Sequence, residues 1–206
     1  MARRRGRHLV RGAVLAAVVL SSSVAGAKLS PGELPQTRAR PLFTSLFQRD
    51  MAVLAGAIAA NNASEAQRVF FLEQPYLTMK ARQIADPALD YRDRLVALYR
   101  LDLSAYHQAL YAHAHTTYLY ARADAALARW IPPGACENAV GYWHEPGVRL
   151  VFRRNGVVES VAVDSLISWR GVWYVVHLGP NPRPRNVGTV DGFAKGPGTP
   201  GPGGGC

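Results

Sequence analysis

Cysteine is scarce in this chain: two in 206 residues, Cys136 and the terminal Cys206. None precedes Cys136, so no lipid-modifiable cysteine is present near the N-terminus. No catalytic motif surrounds either one. Long hydrophobic runs are missing as well. The longest near the N-terminus, Ala13–Leu20, is eight residues, far short of the roughly 20 that span a bilayer. Glycine-rich phosphate loops, serine-nucleophile motifs and cofactor fingerprints are absent, and no cofactor is expected. His144-Glu145 precedes Pro146 and lacks the second histidine of a helical zinc motif. His107, His113 and His115 have no cysteine or carboxylate at ligand spacing, so no metal is expected.

Acidic residues are also few, 14 against 24 basic ones, giving a net charge of +10. Five of the arginines (Arg3, Arg4, Arg5, Arg7 and Arg11) lie in the first 27 residues. That stretch joins a basic head, the short apolar run and a small-residue ending, Ala25-Gly26-Ala27, and reads as a secretory signal peptide over residues 1–27. Cleavage after Ala27 leaves 19 basic and 14 acidic residues, or +5 over 179 residues. Such a dispersed charge argues against a nucleic-acid partner. The expected location is secreted or extracellular, with cell-envelope association open and no integral membrane segment after cleavage. The Ala/Arg/Gly-rich composition reads as bacterial, a setting in which the glycosylation-like Asn62-Ala63-Ser64 carries no weight. In an oxidising compartment two cysteines favour a disulfide between Cys136 and Cys206; free thiols and an intermolecular link stay open.

The mature chain divides by pattern. Residues 28–40, with Pro31, Gly32 and Pro35, read as a linker. Residues 41–180 read as one α+β domain. Phe47, Met51, Leu54 and Ile58 share a helix face, and so do Leu95, Tyr99, Leu103, Tyr106 and Leu110. Ser64 is the expected N-cap of a short second helix, Pro75 starts another, and Asp86-Pro87 closes it. After about residue 116, turn residues separate runs rich in Val, Tyr, Phe and Trp, which is the strand signature. Helices followed by strands predict helices packed on an antiparallel sheet. Residues 181–206 read as a flexible tail, because 15 of the last 28 residues are Gly or Pro, leaving too few side chains to bury.

Two-residue turns at Asn155-Gly156 and Arg170-Gly171 set the register. They place Arg154 opposite Val157, Leu150 opposite Val161, Trp169 opposite Val172 and Ile167 opposite Tyr174. Alternation then puts Val148, Leu150, Phe152, Val161, Val163, Ile167, Tyr174 and Val176 on an inner face. Arg149, Ser160, Asp164, Ser168, Trp173 and His177 fall on a mixed, partly wet outer face. In this register Asp164 and His177 are cross-strand neighbours, a pair that acid–base sites use. A solvent-side polar pair is the competing reading, and a β-bulge within the long strand from Val157 to Trp169 would move one partner to the other face.

Ala59-Ala-Asn-Asn-Ala-Ser-Glu-Ala66, Phe70-Phe-Leu-Glu-Gln-Pro-Tyr76 and the closing hairpin Ile167-Ser-Trp-Arg-Gly-Val-Trp-Tyr-Val-Val-His-Leu178 together resemble the nuclear transport factor two-like (cystatin-like) superfamily. The resemblance covers about residues 41–180. It implies a strongly curved sheet closing with the helices into a cone, and a cavity between them. Some members are isomerases, cyclases or dehydratases, and many only bind ligands or proteins. On this reading Tyr174, Phe152, Tyr99 and Tyr106 are the candidate ligand-binding residues. The expected function is non-catalytic binding of a partner protein, an envelope polymer or a small apolar ligand. The alternative is an isomerase, dehydratase or hydrolase using Asp164 and His177.

Overall fold

The computed structural model describes residues 32–204; the expected signal peptide and Cys206 lie outside them. Five α-helices precede the sheet. Helix α1 (Ser45–Ala60) is capped by the Thr44 hydroxyl, which accepts from the Leu46 amide, and it ends at Asn61 in a left-handed conformation. Both ends satisfy backbone groups that a helix leaves unpaired. Helix α2 (Ala63–Ala66) is capped by the Asn62 side chain accepting from Glu65 N–H, two residues earlier than the Ser64 expectation. Helix α3 spans Glu73–Lys80. Asp86 caps α4 (Pro87–Asp90), with Pro87 at its first position, so this dipeptide opens a helix. A π-helical turn over Tyr91–Val96 joins α4 to α5 (Ala97–Tyr111). The apolar faces of α1 and α5 are buried as their spacing predicts.

Six antiparallel strands follow: β1 (Thr116–Arg122), β2 (Arg129–Ile131), β3 (Tyr142–Arg154), β4 (Val157–Trp169), β5 (Val172–His177) and β6 (Asp191–Lys195). The order is β1-β3-β4-β5, with β2 also on β3 and β6 also on β4. This is the α+β arrangement expected from the pattern. Both hairpins close as predicted. Asn155 and Gly156 have φ of 49° and 84°, and Arg170 and Gly171 have 51° and 78°, as two-residue turns between twisted strands require. All four cross-strand pairs stated above are formed.

One register departs from expectation. Ser165, not Asp164, lies opposite His177, while Leu166 lies opposite Val175. Val176 is thus an extra residue in β5, and pairing resumes where Asp164 N–H donates to Leu178 O at 3.1 Å. The bulge sits where Phe71 N–H, arriving from the helical layer, donates to Val175 O at 2.8 Å. A bulge shifts side chains between faces, so His177 moves to the inner face and parts from Asp164.

The tail is not disordered over its described length. Strand β6 pairs with β4, and residues 196–204 continue across the outer face of the sheet. Gly201 N–H donates to Gly147 O at 3.0 Å, Gly204 N–H to Asp164 Oδ1 at 2.8 Å, and Arg122 to Gly198 O at 2.8 Å. The glycines permit this approach: a Cβ at Gly198 would stand 2.6 Å from Arg149 Nε and 2.7 Å from Ser160 Oγ. Tyr106 anchors the same segment from the helices. Its hydroxyl contacts Ala162 O at 2.6 Å and Leu178 O at 2.9 Å, and accepts from Asp191 N–H at 3.0 Å. Asp102, buried and ion-paired with Arg183, accepts from the amides of Gly179 and Thr189.

The outer face is therefore covered, and Glu145, Arg149, Ser160, Asp164 and Ser168 are all buried. The expectation of a partly wet face is corrected by the tail that lies on it. Part of the expected linker is fixed too. Gln36 donates to Ser168 O and accepts from Arg170 N–H, while Arg38 and Arg40 stack over Trp130 and Trp143.

Candidate functional site

A cavity of about 510 Å³ opens between the helical layer and the inner face of the sheet. Its size is within the range of small-molecule sites. Helix α3 supplies Tyr76, Met79 and Lys80, and the α4–α5 junction supplies Asp90, Arg94 and Leu95. The sheet contributes Arg129, Ile131, Tyr142, His144, Ser165, Ile167, Val176 and His177, and the loop before β3 contributes Cys136, Glu137 and Asn138. Phe71, Met79, Leu95 and Ile167 are buried, whereas Arg129, Glu137 and Arg185 are exposed. The apolar surface consequently forms the floor, and the charges stand at the opening.

Several polar groups of the wall satisfy one another. Arg94 grips Asp90 with two hydrogen bonds of 2.6 Å and donates to the Tyr76 hydroxyl at 2.9 Å, and that hydroxyl in turn donates to Asp90. Burial pulls the Asp90 carboxyl up, but the bonds from Arg94 and Tyr76 outweigh it and hold the group below its usual range. Lys80 Nζ donates to Cys136 O at 3.0 Å, and burial lowers its affinity for protons. Both cavity histidines are kept neutral at pH 7. Burial and the Arg129 charge push His144 down to about 4. Burial, followed by Arg94, Arg183, His144 and Lys80, pushes His177 down to about 3.

Beneath this wall, His144 Nε2 lies 3.2 Å from Ser165 Oγ, and Ser165 donates to Asp164 Oδ2 at 3.1 Å. The order matters for chemistry. Serine has one proton, and its acceptors here are Asp164 and, at 3.4 Å, Gly204 O. One arrangement satisfies these contacts together: the hydroxyl donates to Asp164 and accepts from a protonated Nε2 of the neutral His144 ring. A base that activates serine needs the reverse polarity. Among the described residues Nδ1 of His144 is buried without a hydrogen-bond partner, so none of their carboxylates orients the ring. The string holds β3, β4 and the tail in place rather than forming a nucleophile.

The predicted site residues are dispersed. His177 reaches the cavity, where its Nε2 is 3.5 Å from Asn181 Nδ2. Asp164 is committed to Ser165 and Gly204 beyond the wall, so the expected Asp164–His177 pair does not form. None of Tyr174, Phe152, Tyr99 and Tyr106 lines this cavity. Tyr99 donates to Ala66 O and stacks on Phe70, Tyr106 anchors the tail, Phe152 is packed by Tyr111 and Tyr118, and Tyr174 meets Phe71 edge-on. Cys136 is not a free thiol. The Cys136–Cys206 pairing itself rests on a residue outside the described ones.

His144, Asn138 and the helical groups Lys80, Asp90 and Arg94 were not foreseen as site residues. For His144 a signal existed: continuing the alternation of Val148 back by four residues places it inward, opposite Ile167, as observed. Among the described residues no helix is long and apolar enough to cross a membrane. Compared with protein-family models, with curated proteins and with solved structures, the chain matches none.

Proposed function

We propose that this protein is a secreted, non-catalytic binding domain that holds one small, largely apolar molecule in the cavity between its helices and its sheet. The single observation that carries the reading is the cavity itself: about 510 Å³, with Phe71, Met79, Leu95 and Ile167 as its floor. A ligand that covers this apolar floor removes it from water, which is favourable. The arrangement of helices over a bent sheet supports kinship with the nuclear transport factor two-like superfamily as part of the same proposal. A hydrolase-like role has less support, since Ser165 donates to Asp164 and His177 has no carboxylate partner among the described residues.

A disulfide between Cys136 and Cys206 belongs to this reading. Cys136 and Ser165 both line the cavity, and Gly204 O lies 3.4 Å from Ser165 Oγ. The two residues beyond Gly204 can span about 7 Å.

Titration with a small neutral apolar dye such as N-phenyl-1-naphthylamine tests the function. Saturable binding at one site is expected, together with its weakening in Ile167→Trp, whose larger indole takes up part of the cavity above the floor. Circular dichroism and thermal unfolding confirm that the variant folds. No saturable binding, or binding unchanged in a folded Ile167→Trp protein, overturns the proposal.

A further inference from the structure

The charges around the cavity carry the reading further. Its lining holds four cationic side chains, Lys80, Arg94, Arg129 and Arg185, and two acidic ones, Asp90 and Glu137. Arg94 is spent on Asp90. Glu137 lies close enough to Lys80 to act on its charge. Arg129 and Arg185 make no ion pair with any described residue, and both are exposed at the opening. The apolar floor thus lies under a mouth with two uncommitted guanidinium groups.

We propose that the ligand is an amphiphile with a single negative charge: an apolar body on the floor and a carboxylate head at Arg129 and Arg185. This rests on the proposed binding function and names the ligand class. Guanidinium groups suit carboxylates because their paired N–H donors match two oxygens at once. The volume admits on the order of 10–20 non-hydrogen atoms at a water-sized share each, which suits a medium-chain carboxylate.

Isothermal titration with decanoate, decanol and decyltrimethylammonium tests this, because the three share a chain and differ in head charge. Decanoate is expected to bind about tenfold more tightly than decanol, the sum of two partly exposed charge contacts, and decyltrimethylammonium more weakly than either. In the double variant Arg129→Gln/Arg185→Gln the decanoate advantage over decanol should vanish, and an advantage that persists overturns the charge assignment. Circular dichroism and thermal unfolding check that the variant folds. Equal binding of decanol and decanoate to the native protein overturns the charge assignment and leaves the binding function standing. Tightest binding of decyltrimethylammonium does the same. If none of the three binds, both proposals fall together.

Discussion

Glu145 offers a direct measure of how thoroughly the tail and its neighbours seal the outer face of the sheet. Its side chain is fully buried, it accepts one hydrogen bond from Asp124 N–H at 3.2 Å, and its Oε2 has no partner among the described residues. Burial raises its pKa from 4.5 to about 7; the hydrogen bond from Asp124 N–H opposes the rise, the Asp124 charge adds to it, and Arg40 opposes it. The folded state therefore holds the proton more tightly than the unfolded chain does. The resulting stability is complete below pH 4.5 and is lost as pH climbs through about 7. At 1.36 kcal/mol per pH unit, the loss above pH 7 is on the order of 3 kcal/mol. Glu145→Gln keeps the shape and the acceptor for Asp124 N–H but cannot ionise. It should be more stable than the native protein by about 2–3 kcal/mol at pH 8. The advantage should shrink by roughly 1.4 kcal/mol for each pH unit between about 7 and 5. Urea denaturation of both proteins at pH 8, 7, 6 and 5, with m-values checked for equality, measures it. Other titrating groups, including His144 and His177, whose lowered values act in the opposite direction, are common to both proteins and cancel in the difference. A gap that does not change with pH, or a variant less stable at pH 8, refutes the burial of an ionisable carboxyl at this position.

Three other outcomes follow from the same structure. Tyr106→Phe deletes a hydroxyl shared by β4, the end of β5 and the start of β6; a loss of about 1–3 kcal/mol is expected, with faster amide exchange over residues 191–195. Gly198→Val should cost more than Gly196→Val in thermal denaturation. Both glycines have positive φ, 62° and 72°, but a Cβ at 198 strikes Arg149 and Ser160 whereas one at 196 meets nothing within 4 Å. Non-reducing peptide mapping should recover the Cys136 and Cys206 peptides as one species in oxidised protein and as two after reduction. Recovery of both as free thiols from oxidised protein contradicts the pairing.

The helices, the hairpins and the strand register were legible in the sequence because each is a local property. Phe47, Met51, Leu54 and Ile58 announce a helix face by spacing alone, and Asn155-Gly156 fixes a turn that carries ten cross-strand pairs of β3 and β4 with it. The bulge at Val176 was not legible. Val175 and Val176 are chemically equivalent, and the choice is made by Phe71, which arrives from the helices to bond Val175. That one-residue slip separated Asp164 from His177 and turned His177 toward the cavity. The tail failed for a related reason. Its glycines offer no side chains to bury, yet Arg149, Ser160 and Asp164 on the sheet supply the partners. A segment's own composition does not record what it lies against. The cavity wall combines β-strand residues with Lys80, Asp90 and Arg94 from helices, and no alternation within either class reveals such a meeting.

The central claim is that the space between helices and sheet takes up a small apolar molecule. Methyl NMR during titration with decanoate tests it most directly, reading Met79, Leu95, Ile167 and Val176 in the cavity against Ile58 in the core and Leu42 on the surface. Saturable shifts at the four cavity methyls, with Ile58 and Leu42 unmoved, are the predicted result. Shifts confined to surface methyls such as Leu42, or none at all, would contradict it.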